Sequence, residues 1–211
     1  MAAQALPAVS LRRVTQADVP ALARLYAAAF ADNPAYTSVF AELRGASLEA
    51  ALAWLLAKRC DLLLATHAPF LCAVTGDGQI LAAAAVELRE NTRLELVQAG
   101  VLRWPFLWGL ASLRRALASP RHAPPGSPEV RMVAVSPATQ RKGLGGAVLD
   151  AVLAEFDALR TGRGLVLGTQ KEVNCGFYER RGFVRDHELN SDGEWTTSWV
   201  MTRPAQETAK A

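Results

Sequence analysis

The segment from Val130 to Arg160 constrains the fold more than any other part of the chain. An apolar run, Val133-Ala134-Val135, stops at Ser136-Pro137. A short polar loop follows, then the glycine-punctuated turn Gly143-Leu144-Gly145-Gly146, then a helical pattern from Ala147 to Arg160. Strand, glycine turn and helix N-terminus in succession make a geometry that holds phosphate. Glycine lets backbone come close to a ligand, and the first amides of a helix have no internal partner. Arg141 and Lys142 put two positive charges at the same place.

Three glycine-rich patterns compete for this turn. A P-loop requires Gly, four residues, then Gly-Lys-Ser/Thr, and here Lys142 precedes its glycine. A dinucleotide turn requires Gly-x-Gly-x-x-Gly. Counting from Gly143 and Gly145, the third place holds Val148. The third pattern is Gln/Arg-x-x-Gly-x-Gly/Ala after a strand ending in Val-x-Pro, and Gln140-Arg141-Lys142-Gly143-Leu144-Gly145 fits it without mismatch. Taken alone, the loop also admits a turn that needs glycine only for tight packing.

A second motif lies downstream. Leu165–Thr169 reads as a buried strand, and Thr169 and Glu172 have the Thr-x-x-Glu spacing of a capping box. A helix is expected to run to about Arg181 and to stop at Gly182 as a C′ glycine. Asn174 and Tyr178, four residues apart, share one face of it, and Val173 and Phe177 share a neighbouring face suited to the core. The phrase Asn174-Cys175-Gly176-Phe177-Tyr178-Glu179-Arg180-Arg181-Gly182-Phe183, together with the loop after Gln140, resembles the GNAT N-acetyltransferase superfamily. The resemblance is strong over 128–202, weak over 9–90 and nearly absent over 91–127. The long insert before the fourth strand is similar to that of GNATs of the puromycin-acetylating type.

The resemblance implies an α/β (α+β) fold with a mixed sheet that splays between its fourth and fifth strands. One GNAT domain would cover 1–203, with a helical and loop insertion at 91–127 and a mobile tail at 204–211. It implies acetyl-CoA as co-substrate and direct attack by a primary amine of a small molecule or a protein. Backbone amides of Arg141, Lys142, Gly143, Leu144, Gly145 and Gly146 would bind the pyrophosphate, with Gln140 bracing the loop. The strand edge Met132, Val133, Ala134 and Val135 would pair with the pantetheine amides, and an N–H near Val133 would act as oxyanion donor. Tyr178 would protonate the leaving thiolate, and Asn174 would hydrogen-bond the co-substrate. An alkylamine has a pKa of roughly 10.4, so a base is required. Many members carry a carboxylate on the fourth strand. Here Glu129, at its start, and Glu87, on the preceding strand, are the acidic candidates, with a water relay as the third route. Asp32, Asn33 and Tyr36 stand where the acceptor cleft is lined. A non-catalytic acyl-CoA sensor or scaffold stays open as the alternative, and a nucleotide-binding domain is more remote.

Length and composition agree with one domain. The chain has 211 residues, 51% of them hydrophobic, enough for a substantial core. A net charge of +3 is too small to imply nucleic acid and suits a polyanionic ligand. Cys60, Cys72 and Cys175 are scattered, with no Cys/His cluster, so neither a disulfide framework nor a metal site is expected. Cys175 is expected to be a buried thiol rather than a nucleophile. His67, His122 and His187 are read as surface or partly buried side chains rather than ligands or bases. No secretory leader or bilayer-spanning run is recognised, so a cytoplasmic protein without a membrane partner is expected. The oligomeric state stays open, a homodimer included.

Periodicity predicts strands at 11–14, 70–74, 80–88, 130–135 and 165–169, and a hairpin of 186–189 with 195–201 around a turn at 190–193. Helices are predicted from Thr15 to Phe30, over 48–64, across 94–117 and over 143–160. Leu144, Val148, Val152, Leu153, Phe156 and Leu159 form the buried face of the last. Trp104, Phe106 and Trp108 are read as the core of the insert, and Trp195 and Trp199 as sheet packing.

Overall fold

The computed structural model describes residues 8–119, 121–189 and 197–205. The expected turn at 190–193 and Trp195 lie outside these residues, as does most of the expected tail. The described residues form strands β1 (Val9–Arg13), β2 (Phe70–Thr75), β3 (Ile80–Glu87), β4 (Glu129–Val135), β5 (Leu165–Thr169), β6 (Val184–Leu189) and β7 (Ser198–Arg203). The helices are α1 (Val19–Phe30), α2 (Pro34–Val39), α3 (Gly45–Ala65), α4 (Arg93–Gln98), α5 (Trp104–Ala118), α6 (Leu144–Ala158) and α7 (Cys175–Glu179). The order matches the sequence expectation except for α2. After α1 ends at Phe30, Pro34 opens this further helix, because proline fits the first turn and the Asn33 side chain caps it, accepting from the Ala35 amide at 2.9 Å.

One mixed sheet runs β1-β2-β3-β4-β5-β7-β6. Its pairs are antiparallel except β4 with β5, which is parallel. Among the described residues β4 and β5 pair only at Glu129 and Val166. Beyond that point the strands part, and the expected splay is present. One face of the sheet packs α1, α3 and the insert around Tyr26, Phe40, Leu52, Leu56 and Phe70. The other packs α6 and α7 around Val148, Leu149, Val152, Phe156, Leu167 and Phe183. β3 is small-residue-rich and buried almost throughout, as a central strand covered on both faces must be.

Some local expectations fail for clear reasons. Leu159 is exposed because α6 ends at Ala158. Val173 is exposed because it lies in a 3-10 turn over Glu172–Asn174, not on a helix face, and α7 is only five residues long. Thr169 caps no helix: it closes β5, and its hydroxyl accepts from the Lys171 amide at 3.4 Å. Phe106 is exposed, whereas Trp104 is buried, stacked on Phe40 at 5.6 Å and edge-on to Trp54 at 5.8 Å. Pro105 sits in the first turn of α5, and the helix breaks at Gly109, with φ of 80°.

Candidate functional site

Two features of β4 build the site. The first is a bulge. Arg131 opposes Ala85 and Ala134 opposes Ala83, so Met132 and Val133 share the single opposing residue Ala84. Met132 takes φ of 56°, a left-handed value that an L side chain adopts only where surrounding structure imposes it. A bulge leaves one residue without a ladder partner, and here that residue lies beside the splay. The second feature is the exit from β4. Ser136 donates to Leu81 O at 2.7 Å, a 3-10 turn covers Pro137–Thr139, and Gln140 Nε2 reaches back to Val135 O at 3.4 Å. Gln140 therefore ties the loop to the end of β4.

The turn then enters α6. Gly143 has φ of 86°, which favours glycine, and its carbonyl accepts from Ala147 as the first bond of the helix. The amides of Leu144, Gly145 and Gly146 precede that bond, so they belong to the unsatisfied first turn. A Cβ on Gly145 would stand 2.9 Å from Val135 Cγ2, so the helix start is pressed against the strand end. Arg141 and Lys142 are exposed beside it. The arrangement has the chemistry that suits an anion: amides at the positive end of a fifteen-residue helix, two basic side chains and an adjoining split between parallel strands.

Tyr178 and Asn174 stand beyond β5. Tyr178 is half-buried between the rings of Phe177, at 5.1 Å, and Phe183, at 6.1 Å. Burial pushes its hydroxyl up to about 12, so it stays protonated at neutral pH. Asn174 donates to Thr169 Oγ1 at 3.2 Å, tying the turn before α7 to the end of β5. Cys175 is buried, and desolvation raises its thiol.

On the other side of the splay lies a polar cluster that the sequence reading only half identifies. Glu87 and Glu129 face each other across β3 and β4. Arg131 bridges them, with Nη2 at 2.7 Å from Glu129 and Nε at 3.2 Å from Glu87, and Asn91 donates to Glu87 at 2.6 Å. Glu129 is buried. His122, from the loop before β4, puts Nδ1 at 3.7 Å from Glu129 Oε1. Its ring lies so close to Gly168 of β5 that a Cβ there would collide with it. Gln170 reaches His122 Nε2 at 3.4 Å and Ser198 Oγ at 3.1 Å, and accepts from Asn33 at 3.3 Å. Asp32 pairs with Lys171 at 2.7 Å, and Tyr36 stacks on Phe30 at 5.2 Å. The structure thus links Asn33 with Glu129 and Glu87, and adds His122, Arg131, Gln170 and Ser198. The sequence signal available for His122 is Gly168: glycine inside a strand marks a close approach. A separate surface cavity of ≈ 600 Å³ under the insert is lined by residues such as Trp54, Lys58 and Leu102, none of them in this cluster.

Residues 109–185, from within α5 to the start of β6, match the family model of the acetyltransferase (GNAT) domain. That stretch is similar to a GNAT acetyltransferase domain. The matched stretch contains the bulged strand, the glycine turn, α6 and Tyr178. A search of curated proteins finds no sequence match. Among solved structures, the chain is similar to an HPA2-related acetyltransferase from Corynebacterium glutamicum, with a TM-score of 0.68 and 21% identity, over 95% of this chain and 99% of that one. A phosphinothricin acetyltransferase from Sinorhizobium meliloti, solved with acetyl-CoA, gives 0.60 and 17%, over 94% and 89%. An arylalkylamine N-acetyltransferase from Aedes aegypti gives 0.59 and 15%, over 94% and 99%. These likenesses span nearly the whole chain, insert included, and establish the fold. Among the described residues no helix is long and apolar enough to cross a membrane, and no group of three or more metal-binding side chains occurs.

Proposed function

We propose that the protein transfers an acetyl group from acetyl-CoA to a primary amine of a small molecule or a protein, by direct attack in a ternary complex. Residues 1–203 act as one acetyltransferase unit. The observation that carries this reading is the splay of β4 from β5 opening onto the glycine turn at Gly143. A thioester arm fits between strands that no longer pair, and a diphosphate fits the amides at the end of that gap.

In this reading Arg141, Lys142, Gly143, Leu144, Gly145 and Gly146 hold the diphosphate. The edge of β4 at Met132, Val133, Ala134 and Val135 pairs with the pantetheine amides. The bulge frees a main-chain N–H near Val133 to face the developing oxyanion, a contact worth roughly 3–4 kcal/mol of barrier. Tyr178, held protonated by burial, supplies the thiolate's proton. Asn174 steadies the arm. Asp32, Asn33 and Tyr36 border the acceptor side.

Thiol release from acetyl-CoA over a panel of amines tests the activity. Turnover on any amine supports it. Binding without turnover favours a sensor or scaffold instead. Binding is read independently as thermal stabilisation, about 2.7 kcal/mol at a hundredfold excess over Kd.

A further inference from the structure

Within the acetyltransferase reading, we propose that His122 is the catalytic base that takes the proton from the incoming amine. Glu129 braces its Nδ1 side, and the Asn33–Gln170 pair fixes the tautomer that carries the lone pair on Nε2.

One hydrogen bond near His122 has an unambiguous direction. The Ala35 amide donates to Asn33 Oδ1, so Asn33 Nδ2 is the end that meets Gln170, as a donor to Oε1 at 3.3 Å. The Gln170 amide nitrogen therefore faces the other way, toward Ser198 Oγ and His122 Nε2. An N–H directed at Nε2 requires a lone pair there, which leaves the imidazole proton on Nδ1, the nitrogen facing Glu129. A carboxylate behind Nδ1–H and a lone pair at Nε2 is the arrangement of a base oriented by a third group.

Position agrees with chemistry. The imidazole packs on Gly168, two residues past Val166, where β5 last pairs with β4. It therefore stands at the vertex of the splay. The charged groups around it are Glu129 and Arg131 on β4 and Glu87 on β3, while Lys171 on the Gln170 side pairs with Asp32. Both Glu129 oxygens are engaged, one toward His122 and one by Arg131, whereas the imidazole Nε2 meets the Gln170 amide at a long 3.4 Å, a contact that an incoming amine displaces.

The proton and bond changes balance. His122 Nε2 takes one proton from the ammonium form of the amine. The amine nitrogen bonds to the thioester carbonyl carbon and the C–S bond breaks. Tyr178 protonates the departing thiolate, and the second proton lost by nitrogen restores Tyr178. The imidazolium beside Glu129 releases its proton to solvent.

The test follows kcat against pH for wild type, His122→Gln, His122→Ala and Gly168→Ala, with acetyl-CoA affinity and melting temperature measured on each. Expected is a loss of about 10²-fold or more in kcat for all three variants, with acetyl-CoA affinity unchanged. The acid limb of the wild-type profile should vanish in the variants, and added imidazole should restore part of the turnover of His122→Ala. Gly168→Ala is included because its Cβ would displace the ring. Should His122→Ala fail to fold, His122→Gln carries the same comparison. Variants that keep kcat within threefold overturn the assignment. So does a loss that leaves the acid limb in place and that imidazole does not repair, which would mark His122 as a brace only. A wild-type protein that neither binds acetyl-CoA nor releases thiol overturns the acetyltransferase reading itself, a result distinct from either.

Discussion

Tyr178 and Gly143 carry opposite kinds of constraint, one chemical and one conformational. In the proposed mechanism Tyr178→Phe removes the thiolate's proton source while keeping the ring between Phe177 and Phe183. It should lower kcat by about 10²-fold and leave acetyl-CoA affinity within twofold, as read by steady-state kinetics and calorimetry. Because burial pushes this hydroxyl up to about 12, wild-type kcat should stay flat through pH 10 on the alkaline side. An ordinary phenol would by then be half-ionised, so a fall centred at pH 10 would contradict the acid role. Gly143→Ala forces an L side chain to φ of 86°, at a cost of about 1–2 kcal/mol. Its expected signature is a lower melting temperature together with weaker acetyl-CoA binding, because the strained residue begins the proposed diphosphate site. Tyr178, Asn174 and the loop after Gln140 are legible in the sequence because each is part of a short contiguous phrase. His122 is not, because its partners Glu129, Gly168 and Gln170 come from three separate segments.

Strand β4 and helix α6 form the element that the sequence specifies best. Their apolar period, the proline stop and the glycine turn all lie within about thirty residues and agree with one another. The bulge at Met132 is invisible to that pattern, since nothing in Val130-Arg131-Met132-Val133-Ala134-Val135 announces a left-handed residue. The insert behaves differently again. Its aromatic residues read as one core from sequence, yet α5 breaks at Gly109 and only part of the set is buried. Trp104 packs against Phe40 and Trp54 and donates to Ser112 at 2.8 Å. Trp104→Ala should cost about 3–5 kcal/mol in chemical denaturation. Phe106→Ser, at a side chain 90% exposed, should change stability by no more than about 0.5 kcal/mol. Equal losses at the two positions would contradict the observed packing of the insert.

At the scale of the molecule, one sheet joins the glycine turn, the Tyr178 segment and the polar cluster around Glu129, although these come from residues 33 to 198. Topology was legible because strands and helices alternate with clear turn signals. The links within the polar cluster were not, because contacts such as Asn33 with Gln170 span much of the chain. Acid stability is set partly outside the site. Arg12 holds the Asp18 carboxylate, at 2.7 Å, well below the usual carboxylate range. A depressed folded value gives stability that is complete above the unfolded pKa, about 3.9, and disappears as pH falls further toward the folded value. Asp18→Asn should therefore lower the melting temperature at neutral pH, and the gap to wild type should narrow below about pH 4. A gap that widens on acidification would contradict this. The central claim concerns where the acetyl donor lies, and a crystal structure with acetyl-CoA tests it most directly. The account predicts diphosphate oxygens within hydrogen-bond reach of the amides between Arg141 and Gly146, and the thioester between β4 and β5 beside His122. A carrier bound elsewhere, with those amides making no contact to it, would contradict the account.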